Sequence, residues 1–419
     1  MLSSAPPQIP GQLLPNQASE YLRGQVANLL QRDNPRFPGA QPVSFARSHI
    51  SELQRAEYFM SEKTDGIRCL LFMFFRDAGN GFEPVTFLID RKNNYYELQP
   101  GLRFPYYQDP GNPEKFLFNT ILDGELVHDR VPGQPKPRLV YYVFDCLVID
   151  GQSYVHRPLD RRLGYMKEQV FKPYEAQFKN HPAPEIPFRI KEKISYPPYH
   201  VKHVFDNILP NLPHGNDGLI FTCKSTGYQF GTDKHILKWK PPHENTIDFK
   251  LKLGAFPTFD PHDGDDDGEI EDYDAMPSAM HLLVNHGNNK NSRFADLYFT
   301  EDDWEMFKGL NQRLDGRIIE CYRDSEGRWR FKKDDDGTPR WRDDKKDANH
   351  ISTVHSVLES IEDAVSEKDL MNAEARVKVA VKRLREEEMR IKQEQQMALE
   401  HAAKKRKFSG GPGADANGH

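Results

Sequence analysis

Short apolar runs bounded by turn residues recur through the first part of the chain and predict β-strands. They cover residues 58–60, 69–75, 85–91, 121–127, 139–149, 217–221 and 235–239. Asn93 and Asn94 separate one such run from another at 95–98, a pattern that predicts a hairpin. Helical stretches at 159–171 and 199–209 alternate with the strands. The pattern therefore predicts an α+β fold with antiparallel sheets.

Pro241 and Pro242 interrupt this pattern and predict a domain boundary. Alternating strands restart beyond the two prolines, at residues 246–251, 281–284, 317–322 and 329–331. A series of short strands within one stretch of this length suits a small β-barrel. We therefore expect a first domain at residues 36–241 and a barrel domain at residues 242–350.

The flanking segments differ in composition from these two domains. Residues 1–35 predict a flexible start, up to residue 20, and an amphipathic helix at 17–31 whose apolar positions include Tyr21 and Val26. Residues 351–400 are rich in Ala, Glu, Lys, Arg and Gln and predict helix. We expect the first part of that helical extension to pack on the barrel and the rest to project into solvent.

Charge is distributed unevenly along the chain. The net charge of −6 excludes a protein that coats DNA in general. Residues 260–274 are dense in Asp and Glu and predict a solvated insertion, with a docking site for a basic partner as the alternative. Residues 401–419 form a basic, Gly-rich tail that we expect to be disordered. Its tetrapeptide KKRK at 404–407 predicts nuclear localisation, with a solubilising tail as the alternative.

Cysteine usage and hydropathy narrow the class of protein further. The four cysteines stand far apart without a C-x-x-C pair, so we expect a reduced intracellular protein without zinc: Cys69, Cys146, Cys223 and Cys321. The sequence has neither a run of 18 apolar residues nor the features of a signal peptide. We therefore expect a soluble protein with no membrane partner.

A cluster of charged residues follows the first predicted strand. Residues 63–68 read KTDGIR and place Lys63, Asp65 and Arg68 around a glycine. A lysine amine is nucleophilic only when neutral, and nearby cations and partial burial favour that form. The pattern is typical of a lysine that accepts a phosphoryl or nucleotidyl group, although an ordinary exposed turn could carry the same residues. Its weight depends on the motifs that follow.

Further motifs follow in a fixed order, at residues 85–91, 121–127, 217–221, 235–241 and 342–349. Together with residues 63–68 they resemble the six collinear motifs of the covalent nucleotidyltransferase superfamily, which holds DNA ligases, RNA ligases and mRNA capping guanylyltransferases. The segments at 39–44, 121–127 and 342–349 are most similar to capping enzymes. The size of the chain resembles that of the fungal type, the capping enzyme alpha subunits.

The resemblance implies a nucleotidyltransferase domain followed by an OB-fold, and it implies mRNA guanylyltransferase activity. Lys63 would attack the α-phosphate of GTP, release pyrophosphate and become lysyl-N-GMP. The GMP would then pass to the 5′-diphosphate end of nascent mRNA and form the GpppN cap. An ATP-dependent polynucleotide ligase and a catalytically silent adaptor of the polymerase tail are the alternatives.

Residue types and the resemblance together suggest roles around Lys63. Lys238 and Lys240 alternate with Trp239 along a strand, so both should face the nucleotide and neutralise its α-phosphate. Glu125 and Asp217 are carboxylates in or beside apolar strands, where burial is costly unless they meet a cation. We expect them near Mg²⁺ or Mn²⁺, directly or through water, with ribose as the alternative partner of Glu125.

Other roles are implied by the resemblance alone. Arg68 and Arg91 resemble the contacts to ribose and phosphate, and Phe144 resembles the aromatic residue that stacks on the purine, with plain core packing as the alternative. Lys191 and Lys193 are both candidates for reading guanine, whose O6 and N7 accept hydrogen bonds; of the two we place Lys193 in the expected site.

Arg342, Asp344 and Lys345 lie in the second domain and resemble the residues that bind the β- and γ-phosphates when the domains close. Pro241 and Pro242 would then lie near the hinge of this closure. The alternative is that the charged residues from 332 to 346 form an ordinary surface loop. The resemblance also implies two partners, a separate RNA 5′-triphosphatase subunit (the beta subunit of capping enzymes) and the phosphorylated C-terminal tail of RNA polymerase II.

Overall fold

The computed structural model describes residues 7–79, 81–177, 186–260, 269–334 and 336–409, without the side chains of residues 243 and 402–409. The strands of the first domain are β1 (Gln12–Leu13), β2 (Ala40–Ser44), β3 (Tyr58–Thr64), β4 (Ile67–Asp77), β5 (Phe82–Asp90), β6 (Tyr95–Glu97), β7 (Thr120–Asp129), β8 (Arg138–Ile149), β9 (Gln152–Ser153), β10 (Arg189–Glu192), β11 (Asn216–Cys223) and β12 (Gly231–Trp239). Its helices are α1 (Asn16–Leu29), α2 (Ser48–Glu52), α3 (Leu159–Met166), α4 (Lys172–Gln177) and α5 (Val201–His203), and π-helical turns at Lys167–Phe171 and Val204–Ile208 extend α3 and α5.

Two sheets build the first domain. The larger has the order β1-β6-β5-β4-β7-β8-β10, with β9 beside β8, and the smaller has the order β2-β12-β11-β3. Most neighbours are antiparallel, but β8–β10 and β2–β12 are parallel pairs. The predicted α+β architecture is therefore confirmed, and the predicted hairpin at 85–98 is present as β5 and β6.

The large sheet is covered on both faces, which explains its uninterrupted apolar runs. In β4, Leu71 points into a core completed by Met166 and Phe171, whereas Phe72 points into a core completed by α1. Successive side chains of a strand face opposite sides of a sheet, so burying both faces requires apolar residues at every position. The side chain of Arg68 enters the functional cleft from the start of this strand.

The N-terminal segment differs from the prediction. Gln12 and Leu13 pair with β6, and α1 begins at Asn16. The prediction of a flexible segment is therefore wrong for residues 12–20. Tyr21 was expected on the apolar face of the helix but is 62% exposed, and Leu22 is buried in its place. Val26, which the pattern also placed on that face, is buried as predicted, so the prediction is wrong for Tyr21 but not for the whole face.

The second domain is a closed barrel of five strands. In chain order its strands are β13 (Thr246–Leu253), β16 (Met280–Asn285), β17 (Asn291–Leu297), β18 (Ile318–Arg323) and β19 (Trp329–Phe331). A small pair of strands, β14 (Thr258–Phe259) and β15 (Ile270–Glu271), lies between β13 and β16. Helix α6 (Glu301–Gly309) begins with a capping box in which Thr300 and Asp303 bond each other's backbone N–H groups. The barrel expected from the sequence is confirmed, and its assignment as an OB-fold stays a prediction. Of the acidic insertion, residues 261–268 lie outside the described residues.

The C-terminal extension contradicts one expectation. Helix α7 (Ile351–Glu362) packs on the barrel through Val354 and Val357, as expected, but α8 (Glu367–Ser409) returns to the first domain instead of entering solvent at once. Five side chains around its first turns join the core beneath the small sheet: Val365, Leu370, Ala373, Val377 and Val381. Their near-helical spacing forms an apolar stripe that requires a partner surface. Within the part of α8 whose side chains are described, residues 385–401 are exposed throughout.

The four cysteines are buried and unpaired. Within the described residues, no helix has an apolar stretch long enough to cross a membrane.

Candidate active site

A cleft of about 510 Å³ opens between the two sheets of the first domain and is bordered by the barrel. Eleven of the residues singled out from the sequence line it: Lys63, Arg68, Arg91, Glu125, Phe144, Lys193, Asp217, Lys238, Lys240, Arg342 and Lys345. Asp344 and Lys191 do not belong to this lining. Residues from widely separated motifs thus meet in one place.

Lys63 and Asp217 form the centre of the cleft. The Lys63 Nζ atom donates to Asp217 Oδ1 at 2.6 Å, and the Lys240 Nζ atom lies 2.7 Å from Asp217 Oδ2. Lys63 and Asp217 are each about one-quarter exposed. One carboxylate thus contacts two amines, with one oxygen facing each.

Strand geometry fixes the positions of these charged groups. Asp217 lies at an irregularity between β11 and β3, next to Gly218, whose φ is +145°. A Cβ atom at Gly218 would lie 2.0 Å from the carbonyl oxygen of Trp239. Glycine is therefore required for the close approach of β11 to β12 that presents Asp217 to Lys63 and Lys240.

The alternation expected along β12 is present. Trp239 is buried in the core beneath the small sheet, where its Nε1–H donates to the backbone oxygen of Val365 at 2.8 Å. Lys238 and Lys240 face the cleft. Burial and the positive charges of Lys240 and Lys63 lower the pKa of Lys238 to about 8. Burial also opposes the charge of Lys240, but Asp217 outweighs it and raises the pKa of Lys240.

A buried hydrogen-bond network holds Arg68. Its Nε and Nη2 atoms donate to the two carboxylate oxygens of Asp123 at 3.0 and 2.6 Å, and the Tyr228 hydroxyl donates to the same carboxylate at 2.6 Å. The Tyr228 oxygen also accepts from the Ala40 N–H at 2.9 Å. The Arg68 guanidinium lies 5.5 Å from the ring centroid of Phe144. This pairing fixes a cation beside the aromatic ring of Phe144.

Glu125 is the acidic residue best suited to an additional ligand. It lies opposite Arg68 in the β4–β7 register, and no hydrogen bond or ion pair of its carboxylate is found among the described residues. Burial raises the pKa of Glu125, against the opposing charges of Lys193 and Lys63. A half-buried carboxylate without a partner, close to Asp217, fits a hard cation that is also bound by phosphate oxygens. The described residues contain no cluster of three or more metal-binding side chains.

The barrel contributes two cations that a buried acid holds in place. Arg342 Nη1 donates to Asp248 Oδ1 at 3.3 Å, and Lys345 donates to the same carboxylate. Asn349 accepts a hydrogen bond from the Asp248 N–H at 2.8 Å. Asp344 pairs with Arg342 through two contacts of 3.1 Å, so it orients the arginine from outside the cleft.

The two candidate guanine readers are separated by the structure. Lys193 is 8% exposed and lines the cleft, where its Nζ atom donates to the Thr64 hydroxyl. Lys191 instead points outward and donates to Asp129 at 3.2 Å. Strand β10 ends at Glu192, so the two lysines do not share a face as they would in a continuous strand.

Two models of one protein family match the chain over most of its length. Residues 5–242 match the model for "mRNA capping enzyme, catalytic domain" and residues 244–371 match that for "mRNA capping enzyme, C-terminal domain". The chain belongs to the mRNA capping enzyme family. Its activity is that of an mRNA guanylyltransferase with GTP as substrate.

Fungal members of the capping enzyme family resemble the chain over most of its length. The chain is 42% identical to the mRNA-capping enzyme subunit alpha of Neurospora crassa over 88% of its own length and 92% of that protein. It is 44% identical to the Schizosaccharomyces pombe protein of the same name, over 87% and 86% of the two chains. The Saccharomyces cerevisiae protein of that name is 37% identical, over 88% and 86%.

Two residues of this capping enzyme site were missed in the sequence. Asp123 is fully buried against Arg68, and Asp248 holds Arg342 and Lys345. Each stands within a run that predicts a strand, and a carboxylate buried in such a run needs a cationic partner. That signal was available for both residues, but the sequence does not say which cation each one meets.

Proposed function

We propose that this guanylyltransferase works through a covalent Lys63–GMP intermediate. The Lys63 nitrogen attacks the α-phosphorus of GTP, a phosphorus–nitrogen bond forms, and the bond to pyrophosphate breaks. An oxygen of the RNA 5′-diphosphate then attacks the same phosphorus, and the lysine nitrogen leaves. The observation that supports the proposal most directly is the Lys63 amine paired with Asp217 and surrounded by Lys238, Lys240 and Arg342 in one cleft.

The surrounding residues have separate roles in this proposal. Lys238 and Lys240 neutralise the charge that develops on the α-phosphate. Arg68 and Arg91 bind ribose and phosphate, Phe144 stacks on the base, and Lys193 donates to the guanine acceptors. These assignments are supported by the position of all six residues around the cleft.

Glu125 and Asp217 would hold Mg²⁺ or Mn²⁺ together with phosphate oxygens. The ion would supply positive charge to the triphosphate and reduce the repulsion that the incoming nucleophile meets. Binding of a cation at Asp217 would also compete with Lys63 for that carboxylate. The ion pair of 2.6 Å would then be released when GTP arrives.

Arg342 and Lys345 would contact the β- and γ-phosphates, with Asp344 orienting Arg342. Their position on the cleft supports a closed arrangement in which the barrel covers the triphosphate. Movement of the barrel about the segment at Pro241 and Pro242 would release pyrophosphate and admit RNA.

The relatives' designation as subunit alpha supports a second subunit in a capping complex, with RNA as substrate. We infer that this subunit is an RNA 5′-triphosphatase, which would supply the diphosphate end. We further infer recruitment by the phosphorylated C-terminal tail of RNA polymerase II and a nuclear location. The basic residues 404–407 support the latter.

Covalent labelling tests the proposal. The protein is incubated with magnesium and either α-labelled GTP or α-labelled ATP, and the adduct is located by mass spectrometry. We expect a GMP adduct on Lys63, none in Lys63→Ala, and normal labelling in Lys252→Ala, which changes an exposed barrel lysine. Label from ATP alone would instead indicate a ligase, and labelling of Lys63→Ala would indicate another nucleophile.

A further inference from the structure

Four buried ionisable side chains form a chain of charges behind the base end of the cleft: Asp129, His214, Glu62 and Lys193. His214 Nδ1 lies 2.9 Å from Asp129 Oδ1, and His214 Nε2 lies 3.8 Å from Glu62 Oε1. Glu62 Oε1 in turn lies 3.8 Å from Lys193 Nζ. Each of the four is at most 8% exposed, so these contacts are shielded from water and salt.

The two carboxylates determine the charge of the histidine between them. One acid faces each ring nitrogen: Nδ1 is hydrogen-bonded to Asp129, whereas Nε2 has no hydrogen-bond partner among the described residues and meets Glu62 only as a charge contact. Protonation at both nitrogens makes the ring a cation that attracts both acids. Burial opposes this charge, but Asp129 and Glu62 outweigh it and raise the pKa of His214. Tyr142 and Lys191 also contact Asp129, at 2.8 and 3.2 Å. The four buried side chains therefore carry two negative and two positive charges, which cancel.

The far end of this chain reaches the nucleotide site. Lys193 donates to the hydroxyl of Thr64, the residue next to Lys63. Its backbone N–H donates to the carbonyl of Val143 at 2.8 Å, beside Phe144. The Lys193 ammonium thus contacts the strand that carries Lys63, while the Lys193 backbone pairs with the strand that carries Phe144. The position of that ammonium depends on how strongly Glu62 attracts it.

We propose that His214 is a positioning residue that determines selectivity for guanine by balancing the charge of Glu62. With His214 in place, Glu62 has a second cation, and Lys193 can direct its ammonium to the O6 acceptor of guanine. Without His214, Lys193 is the one cation that remains close to Glu62 among the described residues, and it is held away from the base. The inference rests on the proposed role of Lys193 in reading guanine.

The test compares two nucleotides that differ at the reading position. KM and kcat for covalent GMP transfer are measured with GTP, and an inhibition constant is measured for the triphosphate of 2,6-diaminopurine riboside. This analogue carries an amino group in place of O6, so it lacks the acceptor that the proposal assigns to Lys193. We expect His214→Phe, which keeps an aromatic ring beside Tyr142, to raise KM for GTP about tenfold, equivalent to about 1.4 kcal/mol. We expect kcat and the inhibition constant to stay unchanged.

Controls separate this role from a general effect on folding. His281→Phe removes a histidine that pairs with Asp296 on the barrel at 2.7 Å and should change neither constant. His214→Gln keeps a donor for Asp129 but removes the charge, and it should behave like His214→Phe. The proposal would be overturned if both constants rise together, if neither changes, or if both His214 variants fail to fold. The first and the third of these outcomes would assign the histidine to stability.

Lys193→Met distinguishes failure of this inference from failure of the proposed function. If it raises KM for GTP while the His214 variants do not, Lys193 reads guanine without help from His214, and the inference is wrong. If Lys193→Met leaves KM unchanged, the assigned role of Lys193 is wrong, and the inference fails with it. Labelling of Lys63 by GTP reports separately on the covalent mechanism in every variant.

Discussion

The packing of α8 against the first domain allows a matched test of stability. Leu370 is 2% exposed and belongs to the same core as Phe221 and Trp239, whereas Leu399 on the same helix is 67% exposed. Leu370→Ala removes buried methyl groups and leaves a cavity, but Leu399→Ala removes groups that are already in water. Both changes replace leucine by alanine within one helix, so intrinsic helix propensity contributes equally to both.

The expected difference follows from burial. A leucine truncated to alanine in a packed core costs about 2–5 kcal/mol of unfolding free energy, and an exposed substitution stays within about 0.5 kcal/mol. For domains of about 150–250 residues each kcal/mol shifts Tm by roughly 2–4 °C. Leu370→Ala should therefore lower the Tm of the first domain by roughly 4–20 °C.

Differential scanning calorimetry of the full chain provides the measurement, because it records separate transitions if the two domains unfold separately. Covalent labelling by GTP at increasing temperature should be lost at the lowered transition, since the opposite face of the same small sheet carries Lys63 and Asp217. Equal transition temperatures for Leu370→Ala and Leu399→Ala would show that α8 does not stabilise the first domain.

Three further predictions concern the cleft. The kcat/KM for GTP should fall above about pH 8, because the pKa of Lys238 lies at about 8 and its deprotonation removes a cation from the phosphate site. Lys238→Arg should shift that decline to higher pH, and an unshifted profile would assign it to another group. Arg342→Ala should slow formation of lysyl-GMP by about 10²–10³-fold, yet leave GMP transfer from isolated lysyl-GMP to RNA unchanged; equal losses in single-turnover assays of both steps would contradict this role. Tyr228→Phe should cost about 1–3 kcal/mol in urea unfolding, since Asp123 and the Ala40 N–H each lose a buried partner; an unchanged midpoint would show that the hydroxyl is dispensable.

The sequence alone determined the local features of this protein. The strands at 69–75 and 139–149 follow from apolar runs, and the opposite facing of Trp239 and Lys240 follows from the two-residue period of a strand. The family followed from the order and spacing of motifs that begin at Lys63. The strands and the facing of their side chains depend on neighbours within about ten positions, where backbone geometry leaves few choices. The family depends on the order of motifs along the chain, which the sequence contains without any knowledge of the fold.

The tertiary structure decided which distant groups meet. Arg68 and Asp123 are 55 positions apart, and Lys63 and Asp217 are 154 apart, so their pairing depends on sheet register rather than on any local pattern. The end of β10 at Glu192 separated Lys193 from Lys191, and the surface beneath the small sheet gave α8 a partner. An amphipathic helix shows that it needs a partner, but only the folded domains determine which surface buries it.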